Sequence, residues 1–145
     1  MAMEKLEKHE LFGLLNPKEM ERLSNASGAG KFKKGDKVYS EGIPASHLFV
    51  LLKGRVELRR RTGEGPSLLV EEITEGGLFG VSALMGTDRF LLYAECVEDS
   101  EVLKIEDKVL RQILDENPVV GYATQRRISQ ILFNRYLAAM ERLQA

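Results

Sequence analysis

The spacing of apolar residues along this chain changes period twice. Over residues 4–26 it is helical. Leu6, Leu11, Phe12 and Leu14 or Leu15 mark one apolar face, and Met20 and Leu23 mark a second. The second segment carries a start signal: Asn16 can cap it, Pro17 suits the first helical position, and Glu19 stands at capping-box spacing. Gly28 and Gly30 end the pattern. From residue 29 to 106 the period shortens to that of strands. Apolar runs at Phe32, 38–39, 48–52, 56–58, 68–73, 90–96 and 102–105 are separated by turn signals at 34–36, 41–44, 53–54 and 62–66. Strands recurring at about ten-residue intervals predict a sandwich, barrel or jelly roll. Beyond Ile105 the pattern is helical again. Asp107 is placed to cap a helix over 108–115, and Asn117-Pro118 breaks it. A longer helix then runs to Leu143, with Ile128, Ile131, Leu132, Tyr136, Ala139, Met140 and Leu143 apolar. The expectation is a single domain over 1–145, mainly β with flanking helices. Its N-terminal helices cover 4–26, its β-roll 29–106 and its C-terminal helices 107–143.

One stretch interrupts the strand series. In Gly77-Leu78-Phe79-Gly80-Val81-Ser82-Ala83-Leu84, two glycines and a Phe lead into a helix-compatible segment. Arg89 follows Gly80 by nine residues. Glycine at a helix start lets a ligand approach the backbone. The unpaired N–H groups of a first turn point at that ligand and favour an anion. A facing Arg can clamp an anionic oxygen. The pattern reads as a cradle for phosphate or carboxylate, with a plain tight turn and a solvated Arg89 as the competing reading.

Composition narrows the function classes. Lys and Arg number 21 against 22 Asp and Glu, a net charge of −1, so there is no general pull toward nucleic acid or an anionic membrane. Cys96 is the single cysteine, which excludes an internal disulfide, a four-Cys cluster and a Cys-rich zinc site, and fits a cytoplasmic setting. The charged N-terminus is unlike a signal peptide, and no apolar run is long enough to cross a bilayer. His9 and His47 are too few for a cupin-like metal site and read as a helix-surface and a strand-start residue. Cys96 reads as core. Ser82 has no nearby base, and no catalytic constellation is present, so the expectation is a protein that is not an enzyme.

Taken together, these segments resemble the cyclic-nucleotide-binding domain of the cAMP-receptor and FNR type, over nearly the whole chain. The carriers are Leu11-Phe-Gly-Leu-Leu15, Phe32-Lys-Lys-Gly35-Asp36, Leu48-Phe-Val-Leu-Leu-Lys-Gly54-Arg-Val56 and Glu98-Asp-Ser-Glu-Val-Leu103, with glycines at 35, 42, 54, 77 and 80. The resemblance implies a double-stranded β-helix, or jelly roll, closed by a long C-terminal helix. It also implies that residues 77–90 are the phosphate-binding cassette. Phe79, Gly80, Val81, Ser82, Ala83, Leu84, Arg89 and Phe90 are then the ligand-binding candidates. In the family's usual form a Glu follows the Gly and binds the ribose 2′-hydroxyl, and a Pro precedes the Arg.

Here Val81 stands at the Glu position and Asp88 at the Pro position, Arg89 falls one residue early, and Phe90 adds bulk. A buried ribose hydroxyl left without its acceptor costs about 1–3 kcal/mol. The expectation is impaired or absent cAMP and cGMP binding, with a different small anion, or nothing, in the pocket. Gly80, Ser82, Ala83, Leu84, Arg89 and Phe90 resemble a branch with a Gly-x-Ser-Ala-Leu…Arg-aromatic cassette. The resemblance further implies a non-catalytic regulatory sensor that signals through its C-terminal helix and pairs with its twin along it. Thr124, Arg126, Arg127 and Gln130 are its candidates for closing over the ligand. With Ala145 as the last residue, the expectation is that a helix-turn-helix domain is not carried on this chain. No DNA binding by this chain alone is expected, and a partner protein could supply that domain. The alternatives are a ligand-free interaction scaffold or the remnant of a transcription regulator.

Overall fold

The computed structural model describes residues 2–144. It contains two four-stranded antiparallel sheets flanked by helices. The chain opens with α1 (Ala2–Lys8) and α2 (Pro17–Asn25). Eight strands follow: β1 (Ser27–Phe32), β2 (Lys37–Tyr39), β3 (His47–Lys53), β4 (Val56–Arg60), β5 (Leu68–Ile73), β6 (Leu78–Phe79), β7 (Tyr93–Cys96) and β8 (Ser100–Glu106). Two helices, α3 (Asp107–Glu116) and α4 (Pro118–Gln144), complete the chain. One sheet has the order β1-β8-β3-β6 and the other β2-β7-β4-β5. This is the expected β-roll with a long closing helix.

Burial follows the alternation in the sequence. Phe49, Leu51, Val56, Leu58, Phe79, Cys96 and Val102 fill the space between the sheets. Leu6, Phe12, Leu23, Leu48, Leu103, Leu110 and Ile128 form a second core between the first sheet and the helices. The Asn16 cap is as anticipated: its side chain accepts from the Glu19 amide at 2.8 Å, and Glu19 accepts from the Asn16 amide at 2.9 Å.

Three local expectations are corrected. The first helix ends at Lys8, where the sequence suggested continuation to residue 14. His9 explains the stop: its Nδ1 accepts from the Leu11 amide at 3.2 Å while Nε2 lies 2.9 Å from the Gly76 carbonyl. That bond fixes a tight turn in place of a further helical one. Asp107 does not cap α3 from outside; it is the first helical residue, with Glu106 at the cap position making no side-chain bond. Buried there, Asp107 lies 3.1 Å from Arg111 Nε, one turn along. The strand expected over 90–96 begins only at Tyr93, because residues 88–90 pair with 42–45 instead.

Candidate functional site

Gly80 is the geometric pivot of the cassette. Its φ of +73° lies in the left-handed region. A Cβ there would sit 2.7 Å from Phe49 Cδ2 and 3.2 Å from Tyr39 Cε2. The chain then turns through 82–86 without forming a regular helix. The Met85 amide donates to the Val81 and Ser82 carbonyls, and the Thr87 amide donates to Ser82. Among the described residues, the amides of Ser82, Ala83 and Leu84 have no protein partner, as at the first turn of a helix.

A cavity of about 410 Å³ opens beside Gly80, Val81 and Ser82. Tyr39 and Phe90 form its floor, their rings stacked at 3.7 Å and 14°. Leu58 and Val70 line the side toward β4 and β5. Leu132, Arg135, Tyr136 and Ala139 of α4 form the opposite wall. Three charged side chains line it: Arg60, Arg135 and Glu71. Burial lowers the pKa of the Arg135 guanidinium, with Glu71 opposing that fall. Burial likewise raises that of the Tyr39 hydroxyl, offset in part by Arg135 and the Gly80 amide.

The eight candidate residues therefore occupy different places. Gly80, Val81, Ser82 and Phe90 line the cavity. Phe79 is fully buried between the sheets, and Leu84 packs into the helix-side core. Ala83 faces a separate hollow beside His47 and Asp107. Arg89 is exposed, and its Nη1 donates to the Gly42 carbonyl at 2.7 Å. The Asp88 and Ile43 carbonyls accept from the Ala45 and Phe90 amides, so backbone pairing holds Arg89 on that edge. The α4 residues that line the cavity also lie more than two turns beyond those anticipated. Thr124 is buried, Arg126 donates to the Tyr122 hydroxyl, Arg127 donates to the Glu10 carbonyl, and Gln130 is exposed.

Arg135 is the residue the sequence reading missed. A signal was present: it follows Leu132 by three and precedes Ala139 by four, which places a charge inside an apolar helical stripe. Its guanidinium donates to the Leu78 carbonyl, at the start of the cassette.

A family model described as Cyclic nucleotide-binding domain matches residues 30–117, more than half the chain, from within β1 to the end of α3. The chain belongs to the cyclic nucleotide-binding domain family. Its relatives are regulators of the cAMP-receptor/FNR type. The Global nitrogen regulator of Nostoc sp. is 31% identical over 101 residues, covering 68% of this chain and 45% of that protein. The Anaerobic regulatory protein of Bacillus subtilis is 26% identical over 110 residues, covering 75% and 46%. The chain thus spans about half the length of these curated relatives. Among solved structures, the sensor domain of the transcriptional regulator DNR from Pseudomonas aeruginosa superposes with a TM-score of 0.81 at 27% identity, covering 92% of this chain and 90% of that one. Within the cyclic nucleotide-binding fold, this chain carries Val81 on the cavity wall and Arg89 outside it. Among the described residues, no helix is long and apolar enough to cross a membrane.

Proposed function

We propose that this chain is a non-catalytic, cytoplasmic sensor module whose C-terminal helix reports whether the cavity is filled. One observation carries the reading: α4 supplies a wall of the cavity, facing the cassette residues Gly80, Val81 and Ser82. An occupant touching both would favour some placements of α4 over others, and that differential affinity is what a ligand needs to shift an equilibrium. The reporting surface is the outer face of α4, where Tyr122, Phe133, Leu137 and Met140 are exposed. Phe133, Leu137 and Met140 recur at the i, i+4, i+7 spacing of a packing stripe. Arg127, Arg135 and Arg142 point the other way, each donating to a backbone carbonyl elsewhere in the domain. A second copy is the partner we assign to the stripe.

Cyclic nucleotides are poor candidates for the occupant. Arg89 is engaged by Gly42, and Val81 offers a ribose hydroxyl no acceptor. A ligand-free scaffold is the second reading, favoured by Phe90, which is buried and stacked on Tyr39 inside the cavity. Calorimetry with cAMP, cGMP and a panel of small anions separates the two. Micromolar binding by any of them supports the sensor. Absence of binding at millimolar concentration, with an unchanged melting temperature, supports the scaffold.

A further inference from the structure

We infer that the cavity takes an apolar monoanion, such as a bulky aromatic or aliphatic carboxylate, and that Arg135 of α4, not Arg89 of the cassette, grips the anionic group. This rests on reading the cavity as a sensor site and adds its ligand class and its latch.

Charge on the lining gives the sign. Arg60 and Arg135 outnumber Glu71, and because Arg60 is exposed while Arg135 is partly buried in the wall, one anionic group is matched to Arg135. Among the described residues, Arg135 makes no ion pair within 4 Å, whereas Glu71 lies 3.9 Å from Arg142. A partly buried guanidinium that bonds a neutral carbonyl, with Glu71 near it but not paired with it, is under-compensated, and an anion is its natural complement. The rest of the lining gives the body of the ligand. Leu58, Val70, Val81, Leu92, Leu132 and the Phe90 ring favour apolar surface, and sugar hydroxyls would lie against them unpaired. Ser82 and its unpartnered amide stand on the opposite wall as a second donor.

The latch follows from what Arg135 holds now. Its guanidinium bonds the Leu78 carbonyl, at the strand that feeds Gly80. A carboxylate is a stronger acceptor than a peptide carbonyl. An entering anion would draw Arg135 off Leu78 and so change how the middle of α4 is tied to the sheet. Arg127 and Arg142, on carbonyls of Glu10 and Val70, would keep their hold on either side.

The test is calorimetric titration of the full chain with naphthalene-2-carboxylate, its neutral counterpart naphthalene-2-methanol, and cAMP. The variants are Arg135→Gln, Arg135→Lys and Arg89→Gln, each checked for an intact melting transition. The carboxylate should bind at least about tenfold more tightly than the alcohol, and Arg135→Gln should erase that margin, as expected for a charge-assisted bond. Arg135→Lys should retain part of it, and Arg89→Gln should retain all of it. Equal binding of acid and alcohol to the unaltered chain overturns the inference without recourse to any variant. So does a carboxylate affinity that depends on Arg89 and not on Arg135. Binding of cAMP but not the carboxylate overturns the inference while leaving the sensor reading intact. Failure of all three ligands to bind overturns the inference, while the sensor reading falls only if cGMP and the small-anion panel fail as well.

Discussion

Gly80→Ala offers the cleanest separation of backbone strain from crowding at the cavity wall. At φ +73° an Ala is strained by about 1–2 kcal/mol. Its Cβ would also lie 2.7 Å from Phe49 Cδ2 and 3.2 Å from Tyr39 Cε2, within a stack whose rings have little room to retreat. Overpacking of this kind costs about 1–3 kcal/mol. The less flexible unfolded chain of an Ala returns roughly 0.4–1 kcal/mol. The net is a loss of about 3 kcal/mol, which for a domain of this size lowers the melting temperature by roughly 6–12 °C. Gly86→Ala is the internal control. Its φ is +88°, yet nothing lies within 4 Å of the added Cβ. Strain alone predicts a loss of about 1 kcal/mol, or roughly 2–4 °C. Thermal denaturation followed by circular dichroism on both variants reads the difference. If the two melt together, Gly80 is needed only for its backbone angle, and the packing argument at the cavity wall is refuted.

Further expectations address other parts of the molecule. Asn16→Ala removes the side-chain bond to the Glu19 amide, so α2 should lose about 1 kcal/mol, seen as a melting temperature lower by roughly 2–4 °C; an unchanged melting curve would contradict the cap. His47 has a lowered pKa, chiefly through burial and then Lys104. The unfolded chain therefore binds the proton more readily, and the stability tied to neutral His47 is present above about pH 6.5 and lost as pH falls through the folded pKa. Melting measured from pH 7.5 downward should show a shallower acid-side decline in His47→Gln, and identical slopes would contradict this. The double variant Phe133→Glu, Leu137→Glu should shift the chain from dimer to monomer in sedimentation velocity, with near-unchanged melting of the monomer; a dimer that persists would show that this stripe is not the interface.

The strand series and α4 were legible in the sequence because each rests on local period and on turn residues that are close at hand. The same holds for the Asn16-Pro17-Glu19 cap, whose partners lie within three residues. Cys96 was read as core and is buried; Leu84, expected at the ligand, packs into the helix-side core instead. Which of the two readings of Arg89 holds was not legible. Its position is set by residues 42–45, which approach it only when the sheets assemble. Arg135 is the converse case. Its place in the apolar stripe was visible, but which wall that stripe faces depends on the crossing of α4 over the roll. The anticipated residues 124–130 lie more than two turns short of the α4 residues that line the cavity for the same reason. Helical period fixes which residues share a face, and leaves the axial position to long-range packing.

The account holds that whatever fills the cavity is felt by α4 through Arg135. Nuclear magnetic resonance of the ¹⁵N-labelled chain tests this most directly, with the Arg135 Nε–H signal assigned by its loss in Arg135→Lys. Titration with naphthalene-2-carboxylate should move that signal and the Phe79 amide, whose peptide carries the Leu78 carbonyl, along one saturating curve, while the Arg89 Nε–H stays fixed. A saturating shift at Arg89 with Arg135 and Phe79 unmoved would contradict the account.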